Sequence, residues 1–153
     1  MRGRGLSVHV HIDGGGAPVV PARVTAAIAN ATREALSNVA EHATTGEAWV
    51  QVRLTAPDGD ADVPCRLEVT VRDQGAGFDL DGVDQARLGL RRSIAERTAE
   101  CGGEASIWSA PGQGTVVRMS WPAPARAGQP DGQPDRPGVM RADRGLIQES
   151  PSW

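Results

Sequence analysis

An α+β fold, specifically a two-layer α/β sandwich with helices on one face, is predicted by three observations in this sequence. Five short segments alternate apolar and polar residues at the period of a strand, and two longer segments repeat apolar residues at the period of a helix. They run strand, helix, strand, strand, helix, strand, strand, an order that gathers the helices over a sheet rather than winding them on both sides of one. The chain's 153 residues are enough for one domain of about 100–150 residues with some sequence to spare.

Leu6, Val8, Val10 and Ile12 alternate with Ser7, His9 and His11, the pattern of a half-buried strand, which Gly14-Gly15-Gly16 ends. Pro18 and Pro21 lead into a segment from Ala22 to Ala43 that is rich in alanine and free of internal proline or glycine, predicting a helix with proline near its first turn. Trp49, Val50, Val52 and Leu54 suggest a strand, as do Leu67, Val69 and Val71, with the acidic stretch Asp58-Gly59-Asp60 as the hairpin connection. Leu90, Ile94, Thr98 and Cys101 recur at helical spacing, predicting a helix over Leu88–Glu100, and Gly102-Gly103 is the expected C-cap. Strands near Ala105–Ser109 and Thr115–Trp121 complete the set, joined by the turn Pro111-Gly112-Gln113-Gly114. Residues 123–153 hold five prolines and four glycines with no apolar period, so they are expected to be disordered. The domain proper is then 6–122, preceded by a short extension at 1–5.

Composition removes several mechanisms. All 16 basic residues are arginine, which excludes a P-loop lysine, a Schiff base and a lysine general base. A net charge of −3 gives no cationic field for nucleic acid. The apolar runs are too short to span a bilayer, so no membrane segment is expected. Two cysteines, Cys65 and Cys101, without C-x-x-C spacing or a secretory segment fit a reduced, cytoplasmic setting.

Three stretches carry possible chemistry. At about 100° per residue, Glu34, Asn38 and His42 form one polar row beside the apolar stripe Ile28, Ala35, Leu36, Val39 and Ala43. A carboxylate can orient a nucleophile, an amide oxygen can ligate Mg2+, and an imidazole can reach phosphate oxygens; a solvated helix face fits the same spacing. In Asp73-Gln74-Gly75-Ala76-Gly77-Phe78 a strand ends in a carboxylate followed by two glycines, a place where backbone and a flat ligand approach closely and the carboxylate can accept a strong hydrogen bond from an exocyclic amine. D-x-G-x-G arises by chance roughly 0.2 times in such a chain, so a plain glycine turn is the competing reading. Gly112-Gln113-Gly114-Thr115 delivers a hydroxyl at the start of the last strand, and alone is an ordinary turn.

Taken together and in this order, these stretches resemble the catalytic ATP-binding domain of sensor histidine kinases, within the ATPase superfamily shared with gyrase, mismatch-repair proteins and heat-shock chaperones. Arg33 to Ala43 is similar to the N box of the nitrate-sensor subclass, Asp73 to Phe78 to the first glycine box, Leu88 to Gly103 to the second glycine box with its helix, and Ser109 to Thr115 to the closing motif. The resemblance covers residues 6–122 and implies a mixed sheet of the ATPase type, with ATP and Mg2+ as cofactors. It further implies that Asn38 ligates Mg2+ and Glu34 orients the attacking group. Asp73 would read the adenine amine with the help of Gly75, Gly77, Gly114 and Thr115, while His42 and the backbone at Gly89-Leu90 would lie near the triphosphate.

The sequence departs from the family at Arg87, where a glycine is usual, and at Arg92-Ser93, in place of a glycine-methionine pair. The segment from Asp79 to Ala86, the expected lid, is short and acidic. None of His9, His11 or His42 is placed as a phosphate acceptor. The acceptor is therefore expected on a separate or missing dimerisation domain, with a response regulator downstream, and the isolated chain is expected to be a monomer. A different class, an anti-sigma-factor-like regulatory ATP-binding module, or a nucleotide binder without transfer activity, would share the same fold.

Overall fold

The computed structural model describes residues 5–14, 19–42, 44–55, 65–82 and 85–123, with the side chains of 85–87 excepted. In chain order the elements are β1 (Ser7–Asp13), α1 (Ala22–His42), β2 (Glu47–Thr55), β3 (Arg66–Asp73), α2 (Gln85–Glu100), β4 (Glu104–Ser109) and β5 (Thr115–Trp121). The strands make one sheet in the order β1-β2-β3-β5-β4. β1 runs parallel to β2, and every other pairing is antiparallel, so the sheet is mixed as the resemblance implies.

Register explains why both helices share one face. Residues opposite one another across a sheet point to the same side, and the rows Val50, Val71, Val117, Ile107 and Val52, Val69, Met119, Ala105 cross four strands in register. From above, α1 contributes Val24, Ile28, Ala31 and Ala35, and α2 contributes Leu90 and Ile94 to the same cluster. Val24, Ile94 and Met119 are fully enclosed, and truncating such a side chain to alanine typically costs about 2–5 kcal/mol. The α1 stripe is shifted from the sequence reading: Val24 and Ala31 are buried with Ile28, Ala35 and Val39, while Leu36 lies at the margin.

Both helix ends follow from local chemistry. α1 starts where the Pro21 carbonyl accepts the amides of Val24 (2.9 Å) and Thr25 (3.1 Å). At the end of α2, Gly102 takes φ +82°, its amide bonds Ala99 O at 2.9 Å and the Gly103 amide bonds Thr98 O at 3.0 Å, the paired bonds of a Schellman cap.

One expectation is overturned. β1 forms where the sequence places it, but it is not half-buried: all seven residues are exposed, with Val8, Val10 and Ile12 at 40%, 61% and 71%. Its alternation is real, since these three pair with Ala48, Val50 and Val52 on the helix side. The helices, however, contact β3, β4 and β5 and leave the β1 edge uncovered. The expectations for the Asp58-Gly59-Asp60 connection, for Ala43, for the Arg87 side chain and for a disordered segment beyond Ala123 lie outside the described residues.

Candidate functional site

At one end of the sheet, the apolar rows give way to a polar one. Asp73 pairs with Ala48 on one side and Thr115 on the other, and Thr115 pairs in turn with Ser109. By register, these side chains share the helix-covered face, and Asp73, Thr115 and Ser109 are 4%, 6% and 5% exposed. A buried polar row is stable only where its groups find partners, and here most do.

Ser109 is the junction. Its hydroxyl donates to Gly114 O at 2.8 Å, accepts the Phe78 amide at 2.9 Å and lies 3.1 Å from the Thr115 hydroxyl. With its proton committed to Gly114 O, the Thr115 hydroxyl is the donor in the last contact. The Gly112 amide adds a bond to Ala76 O at 2.6 Å. The first glycine segment is thereby tied to the last turn, although more than thirty positions separate them in the chain.

The glycines at this junction are required by space. Gly77 and Gly114 have φ of +60° and +71°. A β-carbon on Gly77 would run into the carbonyl oxygens of Ala110 and Gly114, and one on Gly114 into the Asp73 carbonyl. The Asp73 carboxylate is held by this arrangement: Oδ1 accepts the Gly75 amide at 2.7 Å. Its other oxygen has no hydrogen-bond partner among the described residues and is not fully shut off from solvent. A nearly buried carboxylate thus presents one free oxygen at the mouth of the site.

The α1 row behaves differently along its length. Glu34 and Asn38 are half-buried beside the stripe, and neither side chain has a hydrogen-bond partner among the described residues. His42, at the helix end, is exposed and 3.8 Å from Glu41. On α2, Gly89 is exposed inside the helix, with nothing within 4 Å of a β-carbon built on it. Leu90 turns its side chain into the core, which leaves only its backbone for any ligand. Of the departures from the family pattern, Arg92 is solvent-exposed in a 2.7 Å pair with Glu96, which raises its already high pKa. Ser93 accepts the Arg97 Nε–H at 3.2 Å. Both are absorbed into the outer face of α2.

A groove of about 550 Å3 lined by His9, His11, Trp49, Gln51, Thr70, Arg72 and Gln74 among others lies on the opposite face of the sheet, away from the helices. The ring of His9 stacks on Trp49 there at 5.6 Å and 17°. It is separate from the Asp73 row.

Sequence reasoning did not assign Ser109 a role. The only hint is its place at the head of the segment Ser109-Ala110-Pro111-Gly112, because every group it bonds is fixed by tertiary structure.

The fold is that of the ATPase-like α/β sandwich domains. Residues 24–125 match the family of histidine kinase-, DNA gyrase B- and HSP90-like ATPases, and the chain belongs to that family. It is 32% identical over 105 residues to an uncharacterized sensor-like histidine kinase of Chloroflexus aurantiacus, covering 65% of this chain and 16% of the relative. To the sensor histidine kinase LiaS of Bacillus subtilis it is 33% identical over 90 residues, 59% of this chain and 22% of the relative. Among solved structures, it is similar to the histidine kinase domain of a blue-light activated histidine kinase of Erythrobacter litoralis, at 26% identity and TM-score 0.52 over 76% of this chain and 55% of that one. The chain thus spans about a sixth to a fifth of the length of the curated relatives it matches.

Proposed function

We propose that this chain is the ATP-binding catalytic domain of a sensor histidine kinase, supplying the γ-phosphate of ATP to a histidine on a separate dimerisation domain that then passes it to a response regulator. The observation that carries the reading is the nearly buried Asp73 carboxylate, one oxygen held by the Gly75 amide and the other without a partner among the described residues, beside the turns at Gly77 and Gly114. Such an oxygen accepts a hydrogen bond from the exocyclic amine of adenine, and a guanine, with a carbonyl at that position, offers it no proton. Gly75, Gly77, Gly114 and Thr115 supply the close-packed floor, and Ser109 holds them in register.

The described residues contain no cluster of three or more His, Cys, Asp or Glu that would cage a metal. Mg2+ would enter with the nucleotide, because this ion keeps most of its ligands as phosphate oxygens and water and takes only one or two from the protein. The unpartnered amide of Asn38 suits that single position, and Mg2+ there would offset phosphate charge. One turn away, Glu34 orients the attacking group by accepting its proton in a hydrogen bond. His42 and the bare backbone at Gly89-Leu90 complete the phosphate side. Phosphoryl transfer calls mainly for positioning and charge neutralisation, and this set provides for both.

No helix among the described residues is long and apolar enough to cross a membrane, and we place the domain in the cytoplasm, where ATP and a response regulator are available. Titrating the 153-residue chain with ATP, with and without Mg2+, and then adding a separate dimerising histidine domain tests the whole reading. Mg2+-dependent ATP binding followed by acid-labile phosphate on the added domain is expected. Failure to bind ATP in either condition would remove the proposal.

A further inference from the structure

The free edge of the sheet carries an inference that does not depend on nucleotide. β1 has β2 on one side and no strand on the other among the described residues, so one row of its peptide N–H and C=O groups is available for pairing. Soluble proteins usually blunt such an edge with charge, proline, a bulge or a very short strand. Here β1 has no arginine or proline, and its one carboxylate, Asp13, lies at the end of the strand, 3.9 Å from Arg53; its seven-residue ladder with β2 is continuous in register, without a bulge. Its helix-side residues, Val8, Val10 and Ile12, stay exposed at 40%, 61% and 71%.

We propose that this edge pairs with the same edge of a second copy of the chain, antiparallel about a two-fold axis through Val10, to make one continuous ten-stranded sheet. The sequence selects both the partner and the register. Antiparallel pairing centred on Val10 sets Val10 opposite Val10, Val8 opposite Ile12, His9 opposite His11 and Ser7 opposite Asp13, using all seven residues. Residues directly opposite share a face, so valine and isoleucine meet on the helix side and histidines on the bare side, and no like charges are brought together when the histidines are neutral. A shift by one residue would set apolar against polar on both faces. The near-palindrome Val-His-Val-His-Ile is what makes a copy of this chain the fitting occupant. This pairing departs from the expectation that the isolated chain is a monomer.

The geometry leaves both candidate sites open. Val8 lies in the row of Ala48 and Asp73, and in the pair it faces the partner's far end, so the two Asp73 rows point to opposite ends of the joined sheet. A contact made by one strand edge is small, in the class of weak and transient interfaces, and dimerisation in the range of about 10–100 μM is expected.

Sedimentation of the full chain over about 5–500 μM, without nucleotide, should therefore show mass rising toward twice the monomer. Val10→Lys should abolish the rise and leave the far-UV spectrum unchanged, because position 10 is exposed. Oxidising single-cysteine variants tests the register, since a disulfide forms only when the Cα atoms lie within about 7 Å. Val10→Cys should cross-link readily, Ile12→Cys should not, and a mixture of Val8→Cys and Ile12→Cys should. The native Cys65 and Cys101 are buried and supply the background. A chain that stays monomeric throughout, or equal cross-linking of Val10→Cys and Ile12→Cys, would overturn the proposal.

Discussion

Replacing Gly89 by alanine separates what the helix needs from what a ligand needs. Glycine inside a helix is less favourable than alanine by about 0.5–1 kcal/mol, through backbone entropy. At Gly89, a β-carbon meets nothing within 4 Å and the position is exposed, so no clash offsets that gain. Gly89→Ala should therefore raise the melting temperature of the nucleotide-free chain by about 1.5–5 °C, the shift that corresponds to such a change in a domain of this size. If the bare backbone at Gly89 is where the triphosphate approaches, the same methyl group stands in its way, and ATP affinity measured by calorimetric titration should fall by about tenfold, or about 1.4 kcal/mol. The opposite behaviour is expected at Gly77, where positive φ and two carbonyl oxygens forbid a side chain; Gly77→Ala should lower the melting temperature and weaken binding together. A Gly89→Ala chain that is more stable and binds ATP as well as the parent would show that no phosphate comes near this position. A chain that melts earlier would show that Gly89 is not in an uncrowded helix.

Three further outcomes are expected. Asn38→Ala should leave the melting temperature nearly unchanged, because the side chain has no partner among the described residues, and should remove the dependence of ATP affinity on Mg2+; identical metal titrations of the two proteins would count against Asn38 as a ligand. Ser109→Ala should cost about 1–3 kcal/mol in chemical denaturation, since the Phe78 amide and the Thr115 hydroxyl lose their shared partner, and a change below about 0.5 kcal/mol would mean water replaces it fully. With γ-labelled ATP, the chain alone should acquire no acid-labile phosphate: His9 and His11 lie on β1 and His42 on α1, and label on any of the three would contradict the need for an added acceptor domain.

The parts of this molecule legible from sequence are those set by local rules. The last strand reads correctly to the residue because a proline-glycine turn bounds it on one side and a change of composition on the other. The C-terminus of α2 reads correctly because the cap needs glycine at a positive φ. Burial of β1 does not, since alternation reveals which residues share a face but not whether a helix reaches that far across the sheet. For the site, Asp73, Gly77 and Gly114 stand out because close approach and positive φ restrict the choice of residue. Ser109 does not, because a serine at the end of a strand is ordinary until Phe78, 31 residues upstream, is folded onto it. His42 illustrates the converse: helical spacing aligns it with Glu34 and Asn38, but that row becomes exposed as the helix ends.

Adenine recognition by Asp73 is the claim on which the functional reading turns, and Asp73→Asn tests it most directly. The amide keeps an oxygen that can accept the Gly75 amide, so the turn should survive. The free position then presents a neutral group, and if the oxygen stays toward Gly75, it presents an NH2 that repels the adenine amine. Losing a hydrogen bond to a carboxylate should weaken ATP binding by about 1.5–3 kcal/mol. Calorimetric titration of parent and variant with ATP and with GTP, at matched Mg2+, should show the parent preferring ATP and the variant losing most of that preference while its melting temperature stays close to the parent's. Equal affinity of the parent chain for ATP and GTP, or an undiminished ATP affinity in the variant, would contradict the assignment.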